Sequence, residues 1–180
     1  MLNIQERRIA ASAESLGKLL PDMAASGDRV WPSPAWPRLR LDAGLVPGSR
    51  GGHGPMRYSV AAYEPGRRVR FAFDPRRGLV GYHELLIVSE GQGRCRLVLT
   101  VAGRCHGAMR VLWPLVIRWL HQALVQDLFD NMEFVATGRP PAQPARWNAW
   151  VRLLRRARGL PLPRGAESRL PPELVDSGGR

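Results

Sequence analysis

Residues 56–73, with the sequence MRYSVAAYEPGRRVRFAF, contain two strand-like runs separated by a turn. Glu64-Pro65-Gly66 is a typical turn sequence, because proline restricts φ and glycine tolerates left-handed backbone. After the turn, Val69, Phe71 and Phe73 alternate with polar or small residues, which predicts a strand with one apolar face. Two such runs joined by a short turn indicate an antiparallel hairpin rather than a parallel crossover.

A second hairpin is predicted directly downstream. Leu79–Val88 and Arg94–Val101 are strand-like runs on either side of a turn that contains two glycines. Cys95 and Cys105 fall in or next to the later of these strands. Ten residues of strand span about 33 Å, whereas a disulfide needs Cα atoms within about 7 Å. The two cysteines are therefore predicted to stay reduced.

The N-terminal elements are shorter. Asn3–Ile9 predicts a half-exposed first strand. Ser12 is a suitable cap for a short helix that Pro21 ends, and Asp22–Ala25 predicts one further turn.

Residues 31–55 are rich in proline and glycine. Trp31–Pro37 contains three prolines and cannot form a regular element. Arg38–Asp42 alternates like a strand. Val46–Pro55 contains four glycines and is predicted to be a mobile loop.

A long helix is predicted from Met109 to Val135. Its length of roughly 35–40 Å, at 1.5 Å per residue, is sufficient to cross a whole sheet. Because proline is tolerated only in a first turn, Pro114 places the start of regular helix near Trp113. Helical spacing gathers the apolar side chains on one wide face. They are Leu112, Leu115, Val116, Trp119, Leu120, Ala123 and Leu124.

The sequence after Gly138, which is expected to end that helix, divides into three predicted segments. Residues 139–146 form a proline-rich linker, residues 147–158 a basic amphipathic helix, and residues 159–180 a disordered tail. The amphipathic helix has three possible partners: the protein's own long helix, another protein, or an anionic membrane. A peripheral membrane contact would use Trp147, Trp150, Arg152, Arg155 and Arg156.

The order of elements is strand, short helix pair, antiparallel meander and long C-terminal helix. This order resembles the START-like, or SRPBCC, superfamily, which includes polyketide cyclase-like and Bet v 1-like proteins. Residues 6–16, 58–71 and 103–107 carry the likeness, which covers residues 1–138. It implies an α+β helix-grip fold, in which a curved antiparallel sheet wraps around the long C-terminal helix beside two short N-terminal helices. It also implies a small hydrophobic ligand, such as a lipid, sterol or polyketide, held between sheet and helix.

The side chains expected to surround such a ligand point inward from the predicted strands and the long helix. They are Tyr58, Val60, Phe71, Phe73, His83, Leu85, Leu97, Leu99, Trp113, Val116, Leu120 and Leu124.

Three residues are candidates for acid–base catalysis, namely His83, Tyr58 and Asp127. Each has a simpler interpretation. His83 is expected to be a strand-end histidine bonded to backbone, and Tyr58 can simply pack in the core. Asp127, if buried, needs a partner and can pair with an inward arginine or a polar group of a ligand; otherwise it lies where the helix has already left the core. His53 is expected to be a solvated loop histidine, although a loop at the pocket mouth could bring it to a ligand. His106 and His121 are likewise expected to have no role in ligand binding.

The net charge of +12 arises almost entirely from arginine, a bias typical of a GC-rich, bacterial genome. Because these arginines are scattered, no nucleic-acid partner is predicted. No apolar run reaches about 18 residues, and Met1–Ala10 is charged where a signal peptide would be apolar, so the protein is predicted to be cytoplasmic. No metal site and no cofactor are predicted, since neither histidine spacing nor a phosphate-binding motif supports one.

Three functions remain open at this stage. The first is binding of a small hydrophobic molecule without catalysis. The second is a polyketide cyclase/dehydratase-like enzyme, which two facing titratable groups inside one cavity would favour. The third is peripheral membrane or partner docking through the basic C-terminal helix.

Overall fold

One antiparallel sheet of seven strands dominates residues 1–25 and 27–159, which are the residues that the computed structural model describes. The strand order is β1-β7-β6-β5-β4-β3-β2. The strands are β1 Leu2–Ile9, β2 Arg40–Leu41, β3 Arg50–His53, β4 Met56–Glu64, β5 Arg68–Phe73, β6 Leu79–Ser89 and β7 Cys95–Cys105.

Both predicted hairpins are confirmed. In the β4–β5 pair Tyr58 lies opposite Phe73, and the register shifts by one residue between Val60 and Ala62. β6 and β7 pair along their whole length, and β1 completes the other edge by pairing with β7. Cys95 and Cys105 are the first and last residues of β7 and are free, as predicted.

The glycine-rich stretch is not the mobile loop that its composition predicts. Arg50–His53 forms β3, which pairs with β2 on one side and β4 on the other. A Cβ atom at Gly51 would overlap the carbonyl oxygen of Arg40, and one at Gly52 that of Met56. The two glycines therefore permit close strand contact here, so the prediction of a mobile loop is wrong.

Two short helical elements follow β1, as expected. Helix α1, Ala13–Gly17, is capped by the Ser12 side chain, which accepts the backbone N–H of Ser15 at 3.1 Å. A 3₁₀ turn follows at Pro21–Ala24.

The long helix begins at Met109, and regular helix does not start near Trp113 as Pro114 predicts. Helix α2, Met109–Leu112, passes through a π turn at Trp113–Ile117 into helix α3, Arg118–Thr137. Pro114 thus lies inside the helical segment rather than at its start. Proline lacks the N–H and crowds the carbonyl four residues earlier, and the wider π turn accommodates both effects. Gly138 adopts a left-handed conformation and ends the helix.

The core lies between α3 and the concave face of the curved sheet, which is the helix-grip arrangement. Arg7 of β1 joins the sheet to the second half of α3. It forms an ion pair with Asp130 and donates a 2.9 Å hydrogen bond to Gln126. The apolar residues with at most 1% exposure come from the sheet, from α3 and from the segment between β1 and β2. They are Leu16, Leu20, Val30, Val69, Leu79, Cys95, Leu97, Val101, Val125, Leu128, Phe129 and Met132.

The basic segment after Gly138 packs back on the protein. Helix α4, Ala149–Ala157, is capped by Asn148, and Trp147, Val151 and Arg155 are buried. Trp147 and Arg155 are therefore not available to a membrane, which corrects that part of the prediction. Trp150, Arg152 and Arg156 are exposed. The expected disordered tail, residues 159–180, lies outside the described residues except for Gly159.

No helix within residues 1–25 and 27–159 is both long enough and apolar enough to cross a membrane.

Candidate functional site

A cavity of about 240 Å³ lies between the long helix and the sheet. Its rim contains four exposed residues, Pro37, Gly54, Pro55 and Arg158, which come from three separate segments. The wall is mostly apolar and aromatic. It consists of Trp36, His53, Met56, Phe73, His83, Trp113, Ile117, Leu120, His121 and Leu124.

Three histidines and a tyrosine form a cluster at the inner end of this cavity. His53 comes from β3, Tyr58 from β4, His83 from β6 and His121 from α3. His53 Nδ1 lies 2.9 Å from the Tyr58 hydroxyl. The Tyr58 and His83 rings are 4.7 Å apart, and those of His83 and His121 are 6.4 Å apart, between centroids.

His83 does not fit the simpler interpretation of a strand-end residue. It lies within β6, where Phe71 of β5 and Val101 of β7 are its neighbours. Its side chain points inward, on the same face as the buried Leu85. His83 Nε2 and His121 Nδ1 are buried and have no hydrogen-bond partner within the described residues.

All three histidines of the cluster are neutral at pH 7. Burial, together with smaller effects of nearby His121 and Arg57, lowers the pKa of His53 to about 3, and burial lowers the pKa of His121 to about 4. Burial, with His121 and His53 beside it, holds the pKa of His83 well below its ordinary value. Burial raises the pKa of Tyr58. A neutral imidazole presents one N–H donor and one acceptor, so the cluster suits an uncharged polar group.

A smaller void of about 30 Å³ lies behind the cluster. This exceeds the roughly 10–15 Å³ that a single water molecule needs. His53, His83, His121 and Leu124 line both spaces and therefore separate them.

Nine of the twelve predicted lining residues face one space or the other. Phe73, Trp113 and Leu120 line the larger cavity only, and His83 and Leu124 line both. Those that line only the inner void are Tyr58, Phe71, Leu85 and Leu99. Those that line neither are Val60, Leu97 and Val116; Val60 and Leu97 are buried in the core, and Val116 packs against it.

His53 and His121 are site residues that the sequence patterns do not predict. The four glycines near His53 indicate a loop and so conceal β3. His121 carried a usable signal, since it follows Ile117 by four residues and precedes Leu124 by three, which places all three on one side of the helix. No group of three or more metal-ligating side chains is placed to hold an ion within the described residues.

Asp127 lines neither the larger cavity nor the inner void, and its carboxylate is bonded to side chains of the protein instead. The carboxylate is 1% exposed and accepts the indole N–H of Trp36 at 2.7 Å and that of Trp147 at 2.9 Å. The Arg155 guanidinium lies 4.4 Å from the Trp36 ring and 4.3 Å from the Trp147 ring. Arg155 also donates to the Ala35 carbonyl at 2.6 Å. Asp127 is therefore a buried carboxylate bonded within the protein, and it neither lines the two spaces nor lies where the helix has left the core.

Comparison with solved structures confirms the helix-grip fold. The crystal structure of CalU16 from Micromonospora echinospora matches with a TM-score of 0.53 and 16% identity, covering 88% of this chain and 83% of that chain. Norcoclaurine synthase from Thalictrum flavum, in complex with dopamine and hydroxybenzaldehyde, matches with a TM-score of 0.58 and 12% identity. That match covers 78% of this chain and 89% of the synthase.

A solution structure from Thermobifida fusca matches with a TM-score of 0.55 and 17% identity over 74% of this chain and 94% of that chain. No protein-family model and no curated protein sequence matches the chain. At these identities the likeness establishes the fold alone.

Proposed function

We propose that the protein binds a small, mainly apolar molecule with one uncharged polar group in the 240 Å³ cavity. The observation that carries the proposal is the pair of buried nitrogens, His83 Nε2 and His121 Nδ1, in a mostly apolar wall. A buried polar group without a partner costs about 1–3 kcal/mol. A ligand hydroxyl or carbonyl between these imidazoles removes that cost, while its apolar body fills the remaining space.

The cavity volume favours a compact ligand over a sterol or a long-chain lipid. Sites for drug-sized ligands commonly enclose about 300–1,000 Å³, and this cavity is smaller. Phe73 and Trp113 provide aromatic surface on two sides of it. A ligand of one or two rings therefore suits this cavity best. The norcoclaurine synthase structure contains dopamine and hydroxybenzaldehyde, so another protein of this fold is associated with molecules of that size.

Native mass spectrometry of the purified full chain tests whether a compact apolar molecule co-purifies. A second measurement uses a matched ligand pair, p-cresol and toluene, competing with a fluorescent apolar dye. We expect p-cresol to bind more tightly, because only its hydroxyl can pair with the imidazoles.

The preference for p-cresol should disappear in His83→Phe, which keeps an aromatic ring but removes both nitrogens. His106→Phe is the control, since His106 is exposed and outside the cavity. Equal affinity for the two ligands in the wild type, or a preference that survives in His83→Phe, would contradict the proposal.

A second candidate function is acid–base catalysis of the cyclase/dehydratase kind. Several titratable groups face one cavity, and the His53–Tyr58 contact of 2.9 Å forms a possible proton-transfer pair. Against it, a catalytic base works best with a pKa near the working pH, and the pKa values of about 3 and 4 for His53 and His121 are much lower. Binding without catalysis is therefore the better supported function.

Deuterium exchange distinguishes the two functions. The protein is incubated in D₂O with a small aryl ketone, and NMR measures exchange of the protons next to the carbonyl. Exchange that depends on the protein and is lost in His83→Phe would support catalysis. Tight binding of the ketone without exchange would support binding alone.

A further inference from the structure

Five large apolar residues are 41–60% exposed on two helical segments that contact each other. They form a surface, called here the apolar patch, of Val111, Leu112, Leu115, Trp150 and Leu153. The Trp150 indole N–H donates to the Leu115 carbonyl at 2.8 Å and joins the two segments. Val111 and Leu112 precede Leu115 by about one helical turn, and Leu153 follows Trp150 by three residues, so both segments extend the patch from this contact.

The surroundings of the apolar patch are basic. Residues 106–126 contain two arginines, and residues 134–159 contain six, while neither range contains Asp or Glu. Four of these arginines are exposed and lie within three residues of a patch residue in the sequence; they are called here the basic rim. They are Arg110, Arg118, Arg152 and Arg156. None of these four forms an ion pair with a carboxylate of the described residues.

We propose that the apolar patch and its basic rim bind the surface of an anionic lipid membrane. Aliphatic side chains and one tryptophan, flanked by arginines, are the composition of a surface that enters the boundary between headgroups and acyl chains. The four arginines of the basic rim, which form no ion pair with a carboxylate of the described residues, complement anionic headgroups. A second copy of the chain is a poorer occupant, because a symmetric contact would bring the two arginine rims together.

This membrane surface differs from the one that the sequence alone predicts. Trp147 and Arg155 are buried against the long helix and do not take part. In their place, Val111, Leu112 and Leu115 come from the opposite segment, which only the fold brings beside α4.

The apolar patch also lies on the segments that build the cavity wall. Trp113 and Ile117 line the cavity from the segment that carries Leu115, and Arg158 at the rim follows α4 directly. A protein bound through the patch therefore holds this part of the cavity wall at the lipid surface. This consequence rests on the proposed ligand function, whereas membrane binding itself does not.

Co-sedimentation of the full chain with lipid vesicles tests the proposal. We expect binding to vesicles of phosphatidylcholine mixed with phosphatidylserine, and weak binding to phosphatidylcholine alone. Each arginine near an anionic surface contributes about five-fold to the partition coefficient, so Arg152→Gln with Arg156→Gln should lower it about 25-fold. Leu115→Ser with Leu153→Ser should also weaken binding, because it removes apolar side chains that enter the lipid.

The control variants carry matched changes elsewhere. Arg76→Gln with Arg94→Gln removes the same charge at exposed positions on other elements, and Val80→Ser removes an exposed apolar residue from β6. Circular dichroism verifies that every variant is folded. Equal loss of binding in patch and control variants, or no binding of the wild type to anionic vesicles, would overturn the proposal. Sedimentation velocity measures self-association. If the wild type self-associates but does not bind lipid, and only the patch variants lose that self-association, the proposal is overturned and the patch is assigned to a second copy.

Discussion

Trp147 donates its indole N–H to the carboxylate of Asp127, at 2.9 Å from Oδ2 and 3.1 Å from Oδ1. The bond joins the C-terminal segment to the long helix inside the protein. Trp36 donates to the same carboxylate, and its ring meets that of Trp147 edge-on at 5.6 Å. Arg155 then lies over both rings. The segment after Gly138 is therefore part of the folded structure rather than an appendage.

A chain that ends at Gly138 should be much less stable than the full chain. Truncation removes Trp147 from Asp127, exposes the surface that Val151 covers, and leaves a buried carboxylate with one of its two indole donors. Losing a hydrogen bond to a charged group costs about 1.5–3 kcal/mol, and losing the burial of the Val151 side chain costs about 1.5–3 kcal/mol more. For a chain of this size the melting temperature should fall by about 6–20 °C, which calorimetry measures.

The control for this truncation is a chain that ends at Gly159, which keeps every contact described above. It should melt close to the full chain. A melting temperature that is the same for the chains ending at Gly138 and Gly159 would contradict a structural role for α4.

Arg155→Lys should destabilise the protein although it preserves the charge. The planar guanidinium lies over two indole rings and still reaches the Ala35 carbonyl, whereas a lysine ammonium cannot match both contacts. We expect a loss of about 1–3 kcal/mol in the free energy of unfolding, measured with urea. Arg152→Lys, at an exposed position on the same helix, should change it by less than about 0.5 kcal/mol. Equal effects of the two changes would contradict the assigned role of Arg155.

The three histidines of the cluster predict a loss of stability in mild acid. Their pKa values are lowered in the folded protein, so folded histidines stay neutral while those of the unfolded chain take up protons below pH 6.5. The stability is therefore complete above about pH 6.5 and falls as the pH approaches the folded values. Near pH 5 each histidine lowers the free energy of unfolding by about 1.4 kcal/mol for each pH unit of acidification. Three histidines together lower it by about 4 kcal/mol per pH unit.

His83→Phe should remove about one third of that slope between pH 6 and pH 5, as measured by urea unfolding at a series of pH values. His106→Phe, at an exposed position, should leave the slope unchanged. A slope in His83→Phe equal to that of the wild type would show that this histidine is not held neutral by burial.

Leu120→Trp should fill the cavity without unfolding the protein. Leu120 lines the cavity from α3, so a larger side chain extends into the 240 Å³ space rather than into packed core. The variant should lose most of its affinity for a fluorescent apolar dye and keep the wild-type circular dichroism spectrum. Val80→Trp adds the same side chain at an exposed position on β6 and should bind the dye normally. Unchanged dye affinity in folded Leu120→Trp would contradict ligand binding in this cavity.

Much of the fold can be predicted from the sequence because its signals are local. The alternation in residues 67–73 reflects the two-residue period of a strand. The apolar face of the long helix reflects the period of 3.6 residues in an α-helix. Those periods predict both hairpins, the long helix and an amphipathic segment at residues 147–158. Local composition is misleading where packing overrides it, as at Gly51 and Gly52, whose lack of a side chain permits close strand pairing.

The amino-acid sequence by itself determined the layers of this protein: an antiparallel sheet with one apolar face, a helix long enough to cross it, and apolar side chains between them. Only the tertiary structure decided what meets at the site. His53, His83 and His121 are about thirty or more residues apart, and they come together because strand order and sheet curvature place β3, β6 and α3 around one cavity. Asp127 and Trp147 likewise meet only because the chain reverses after Gly138. Periodicity specifies which face of an element is apolar, but distances between elements depend on how those faces pack.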